Sequence, residues 1–162
     1  MPHPRDPGTF STILHTEGPA AALAFLNEAV PHRYSAVYRL DGDKLQNLFL
    51  HDKQGEVRPE FLATVPFEVS FCQFVLRDGT FRTHDSAEDA RLDGHPYQGV
   101  MLSYHGVPLI DDRGELFGTL CHFDVSAHPL ADDEFELLEK AARILPAYLG
   151  NRVSGSAPPR SG

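Results

Sequence analysis

Residues 101–124 constrain the fold most. Met101 to Ile110 and Glu115 to Asp124 are apolar-rich runs of strand length. They flank Asp111-Asp112-Arg113-Gly114, a turn whose glycine can take the positive φ that hairpins use. A hairpin makes its strands antiparallel, whereas a parallel pair needs a long crossover. A second hairpin lies upstream. Tyr34, Ala36, Tyr38 and Leu40 alternate with Arg33, Ser35, Val37 and Arg39; Asp41-Gly42-Asp43 turns the chain, and Leu45 to Leu50 returns.

Helical patterns bracket these hairpins. Gly18-Pro19 opens one helix, Leu23, Leu26 and Val30 recur at helical spacing, and Pro31 closes it. The last helix is predicted over Asp132 to Leu149, with Phe135, Leu138, Ala142, Leu145 and Leu149 on one face. Asp132, Asp133 and Glu134 suit its first turn, and Pro146 is expected to kink or shorten its end. Between the hairpins, Lys53 to Pro66 reads as a loop. Ser70 to Leu76 reads as a short helix and Thr80 to His84 as a short strand. Ser86 and Asp89 have the spacing of a helix N-terminal box before a turn over Glu88 to Leu92. The expected class is α+β: an antiparallel sheet of about five or six strands, N- and C-terminal helices on one face, and a pocket-forming loop and short-helix region on the other.

The 162 residues suit one domain. Residues 1–16 are expected to be a flexible segment, 17–150 the domain, and 151–162 a disordered tail rich in Ser, Gly and Pro. A net charge of −9, with no basic run, argues against nucleic-acid binding. No stretch approaches the length of a membrane span and the N-terminus lacks an apolar signal core, so a cytoplasmic location is the default expectation.

The order and motifs of residues 17–149 resemble the GAF domain family. The carrying residues are Ser70-Phe-Cys72, His84-Asp85 with Asp89-Ala-Arg91, Tyr104-His-Gly-Val-Pro-Leu109, Gly114, Gly118-Thr-Leu-Cys121, Asp124, and Leu138-Glu-Lys-Ala-Ala142. The resemblance implies a sensor or regulatory module in signal transduction, with a small-molecule pocket between the sheet and the mid-chain helices. Gly106, Pro108 and Gly118 are the kind of residues that leave gaps in a sheet. Candidate pocket residues are Phe71, Cys72, Phe74, Asp85, Tyr97, Tyr104, His105, Cys121 and Phe123. The implied partners are an unidentified small ligand, a signalling protein, and a second copy docked through the first and last helices.

Nothing in the sequence names a cofactor, and no catalytic residue is assigned. If the last hairpin pairs symmetrically about its turn, His105 opposes Leu120 and Ser103 opposes His122, so His105 and His122 are diagonal neighbours. Two imidazoles without a further ligand at motif spacing do not fix a metal or a haem. The alternative function is a thiol redox enzyme or sensor, since one GAF subfamily reduces free methionine-R-sulfoxide with cysteines. That subfamily's cysteines cluster in mid-chain; here Cys72 and Cys121 stand far apart in sequence. Bilin attachment and cyclic-nucleotide binding also occur on the fold, but only Arg77, Arg82 and Arg91 offer themselves to a phosphate. The pairs Asp111-Asp112 and Asp132-Asp133 read as turn and helix-start residues.

Overall fold

The computed structural model describes residues 4–56, 63–66, 70–96, 98–111 and 113–156. Helices α1 (Pro7–Glu17) and α2 (Pro19–Glu28) lead into strands β1 (Tyr34–Asp41), β2 (Lys44–Asp52) and β3 (Thr64–Pro66). Helix α3 (Cys72–Asp78), strand β4 (Phe81–Thr83) and two 3-10 turns (Ser86–Glu88 and Ala90–Leu92) follow. Strands β5 (Ser103–Ile110) and β6 (Leu116–Asp124) and helix α4 (Asp132–Ser156) complete the chain. The strands form one sheet in the order β3-β2-β1-β6-β5-β4, and every adjacent pair is antiparallel.

Period-two alternation sorts the side chains onto two faces. Val37, Val107, Leu109 and Leu120 pack with the apolar faces of α1, α2 and α4. Tyr34, Ala36, Tyr38, Tyr104, Cys121 and Phe123 face the other way and pack with Phe71, Cys72 and Val75 around α3. The α+β class, the antiparallel sheet and the opposed layers are as the sequence predicts. Strand β3 falls inside the stretch predicted as loop; with three residues and a proline, it carries too short a pattern to detect.

The N-terminal segment departs from expectation. Residues 1–16 read as flexible, yet Pro7–Glu17 is helical. The Asp6 side chain accepts from Thr9 N–H at 2.7 Å and Pro7 occupies the first turn. Phe10, Ile13 and Leu14 fall at helical spacing and are buried. Full burial of a side chain like Phe10 or Leu14 is worth roughly 2 kcal/mol, which outweighs the segment's proline and glycine content. Gly18, at φ 100°, ends α1 and starts α2. Arg5 ties the segment down. It donates to Phe25 O at 2.7 Å, Leu26 O at 3.1 Å and both Glu134 oxygens at 2.9 and 2.7 Å. Arg5→Ala is expected to cost about 2 kcal/mol in urea denaturation, the scale of charge-assisted hydrogen bonds.

The end of the chain differs too. Helix α4 runs through Pro146 to Ser156 instead of stopping near Leu149. The first six residues of the expected tail are therefore helical, and 157–162 lie outside the described residues. The last hairpin is also not symmetric. Two one-residue offsets, a turn that sets Ile110 against Leu116 and a register shift between Leu109 and Ile110, together set Ser103 against Asp124 and His105 directly against His122. A one-residue bulge beside the turn is invisible to a count made outward from it.

Candidate functional site

Gly106 is the residue on which the α3 side of the sheet is organised. It pairs with Cys121 across β5 and β6. A Cβ placed on Gly106 would lie 2.6 Å from the Tyr104 ring and hydroxyl. The missing side chain is thus the slot in which the Tyr104 ring lies along its own strand. That placement brings the Tyr104 hydroxyl to 3.1 Å from Cys72 Sγ, on the first turn of α3. Thr119, two residues before Cys121 on the same face of β6, brings its hydroxyl to 3.3 Å from the same sulfur. The Cys121 thiol donates to Ala36 O at 3.8 Å. Both cysteines are buried and free.

These groups shift one another's ionisation. The adjoining Cys121 thiol is the largest influence on Cys72 and lowers it from the usual thiol range; the Thr119 and Tyr104 hydroxyls act in the same direction. Burial pushes Cys121 and Tyr104 well up, so both hold their protons. Cys72 is the more acidic thiol of the pair.

Above them lies a cavity. Tyr38, Tyr104, Cys121 and Phe123 of the sheet form its floor, Leu45 and Val65 one wall, and Ser70, Phe71, Cys72 and Met101 the other. The space open to the centre of a water-sized molecule is about 40 Å³. A single water needs roughly 10–15 Å³ by this measure, so the cavity takes a group of a few heavy atoms.

Of the nine candidates, Phe71, Cys72, Tyr104, Cys121 and Phe123 line this cavity. Phe74 does not; it is half-buried and packs on Phe71 and Phe81 in an aromatic group flanking the cavity. Asp85 is at the surface, accepting from Ala87 N–H at 3.2 Å to begin the first 3-10 turn. With Asp89 capping the second, the box predicted from Ser86 and Asp89 is replaced by two aspartate caps. Ser86 is instead buried and donates to Met101 O at 2.7 Å. Tyr97 lies outside the described residues. Tyr38, Leu45, Val65, Ser70 and Met101 are additions to the lining, and Thr119 joins the site through its contact with Cys72. Tyr38 and Thr119 were within reach of strand alternation, whereas Val65 comes from a stretch without a readable pattern and Met101 stands just before the strand it was expected to begin.

His105 is a correction, for it lies on the opposite face. There it stands 5.0 Å from His32 between ring centroids, and His32 is 6.1 Å from His122 and 5.5 Å from His128. His32 Nε2 and His105 Nε2 both approach His128 O, at 3.3 and 3.4 Å. Asn27 donates to Ser35 Oγ at 2.8 Å, which leaves the Ser35 hydroxyl hydrogen for His122 Nδ1. Among the described residues, His32 Nδ1 and His122 Nε2 are buried without a hydrogen-bond partner. Burial is the main cause that holds His32 down to about 4 and His105 to about 3, and that lowers His122 well below its usual value. Among the described residues no group of three or more His, Cys, Asp or Glu is placed to hold a metal ion. Nor, among them, is any helix long and apolar enough to cross a membrane.

Solved structures share this architecture. The free methionine-R-sulfoxide reductase of Neisseria meningitidis, in complex with its substrate, is similar with a TM-score of 0.69 and 21% identity, covering 91% of this chain and 88% of that one. The GAF domain of an Acinetobacter phosphoenolpyruvate-protein phosphotransferase has a TM-score of 0.71 at 12% identity, covering 93% and 94%. The chromophore-binding domain of a bacteriophytochrome from R. palustris has a TM-score of 0.71 at 13% identity, covering 94% of this chain and 61% of that one. No curated protein matches. At these identities the structures share the fold alone. The family model for the GAF domain, however, matches residues 20–146, which hold the whole sheet, α3 and most of α4. The chain belongs to the GAF domain family.

Proposed function

We propose that this chain is a non-catalytic, small-molecule-sensing module whose ligand sits in the cavity between the sheet and α3. The cavity carries the proposal: an almost wholly apolar space, bordered by Cys72, Tyr104 and Cys121, of the kind that takes a small ligand. The GAF fold suggests a sensory or regulatory role. The similar bacteriophytochrome domain binds a chromophore and the Neisseria enzyme holds its substrate. The cavity here is smaller than a chromophore or a nucleotide needs, so the ligand is a compact, mainly apolar molecule or the tip of a larger one. A change in cavity occupancy is passed to a signalling partner or a second copy through the outer faces of α1 and α4, in the cytoplasm.

Native mass spectrometry of protein purified without denaturant tests this. A bound small mass is expected on the wild type and is expected to be lost in Cys121→Leu, whose larger side chain fills the floor. A folded wild type that never carries a ligand, from any growth condition or added compound set, counts against it.

One observation favours a second reading, thiol chemistry of the kind in the Neisseria enzyme's name. Cys72 and Cys121 are 49 positions apart in sequence, yet they meet beneath the cavity.

A further inference from the structure

Resting on that second reading, we propose that Cys72 and Cys121 are a hydroperoxide-reactive pair: Cys72 attacks a small hydroperoxide and Cys121 resolves the product as a disulfide. The roles follow from the hydrogen bonds. Cys72 Sγ lies within reach of two hydroxyls, from Tyr104 at 3.1 Å and Thr119 at 3.3 Å, which can donate to a thiolate. Cys121 Sγ instead keeps its own hydrogen, shared between Ala36 O at 3.8 Å and the Cys72 sulfur, the arrangement of a thiol that stays protonated. The lowered ionisation of Cys72 and the raised ionisation of Cys121 agree with this division.

The cavity selects the oxidant. About 40 Å³ open to a water-sized centre admits hydrogen peroxide or a short hydroperoxide. Free methionine sulfoxide, with its charged amino-acid head, exceeds that space, and the described residues of its apolar walls offer those charges no ionic partner.

The chemistry balances in two steps. The Cys72 sulfur attacks the nearer oxygen and the O–O bond breaks. The proton leaving Cys72 passes through the Tyr104 hydroxyl to the departing oxygen, giving sulfenic acid and water or an alcohol. Cys121 sulfur then attacks Cys72 sulfur, the S–O bond breaks, and the Cys121 proton leaves with the hydroxyl as a second water. Sulfur is oxidised to a disulfide and the peroxide oxygens are reduced.

The test exposes the reduced full chain to one equivalent of hydrogen peroxide, or separately to free methionine-R-sulfoxide, with intact-mass and peptide readout. Peroxide is expected to remove two hydrogens and link Cys72 to Cys121. In Cys121→Ser, a sulfenic acid at Cys72 should be trapped by dimedone, while in Cys72→Ser the Cys121 thiol should survive the same dose. Tyr104→Phe is expected to slow the wild-type reaction about tenfold, the loss of one hydrogen bond to a charged sulfur. Linkage by sulfoxide and not by peroxide would overturn the proposal and leave the second reading standing. A wild type whose cysteines respond to neither reagent would overturn both, a result that depends on no variant folding.

Discussion

Acidification from pH 7.5 to pH 5 should remove a large part of this protein's stability. His32, His105 and His122 are buried neutral among Asn27, Ser35 and the His128 carbonyl. Their surroundings resist protons: Lys53, Arg82, His84 and Arg5 add positive charge, and Asp124 is the acid that favours protonation of His32. A histidine held below its unfolded value binds its proton more readily in the unfolded chain. Its contribution is therefore complete above the unfolded pKa and is lost as pH falls toward the folded one. The window opens near pH 6.5 and closes near pH 4 for His32 and pH 3 for His105. At pH 5 each of these two has lost roughly 2 kcal/mol, and His122 adds in the same direction. A loss of about 4 kcal/mol or more is comparable to the whole stability of many domains. Asp52 and Asp89 are held at about 2 and lose their contribution in the same direction, but from an ordinary value of 3.8, so their loss begins only below about pH 4. Urea midpoints at pH 7.5, 6 and 5 should fall steadily, and His105→Gln should flatten the slope. A midpoint unchanged down to pH 5 would contradict the neutral cluster.

The second large effect is expected at Gly118. It pairs with Arg39 on β1, and a Cβ there would overlap the Tyr38 carbonyl and sit 3.0 Å from Arg39 Cα. The obstacle is backbone at the centre of the sheet, so no rotamer change relieves it. Gly118→Ala is expected to destabilise by about 4 kcal/mol or more, the range of severe core strain, and Gly118→Val to prevent folding. Gly106→Ala should behave differently. Its Cβ meets only the Tyr104 side chain. That ring can swing away, which takes its hydroxyl from Cys72 and moves it toward the cavity. The variant should fold, with circular dichroism close to wild type, but lose ligand retention and peroxide-driven linkage together. Equal damage from the two substitutions would contradict the separate roles assigned to these glycines.

Both glycines were visible in the sequence as gaps in strands, but what fills each gap was not. The two hairpins, the last helix and the two-faced sheet were legible because they repeat a pattern over several residues. Cys72, Tyr104 and Cys121 were legible as pocket residues for the same reason: each lies in an apolar run of predictable phase. His105 lies on the helix side because neighbours on a strand face opposite ways and Tyr104 faces the cavity; the change of partner from Leu120 to His122 spans two residues and leaves that face unchanged. Asp85 looked like a polar pocket group because its cap role depends on the exact start of a three-residue turn. The meeting of Cys72 with Cys121 is tertiary. One comes from a short helix and the other from a central strand, and no local spacing encodes their approach. The N-terminal helix was a different case. Its prolines and glycine mask the pattern, although Asp6 and Pro7 are a helix start and Phe10, Ile13 and Leu14 already show the period.

The proposed ligand enters on the α3 side of the sheet and not among the helices. Xenon, apolar and of a size with the open space, is a direct probe of it. Methyl-resolved NMR of the reduced protein under xenon pressure should show saturable shifts at Leu45, Val65 and Met101, which line the cavity, and none at Leu138, Leu145 and Leu149 on the helix side. Shifts confined to the helix-side methyls, or no shift at the three cavity methyls, would rule out a ligand site on the α3 side.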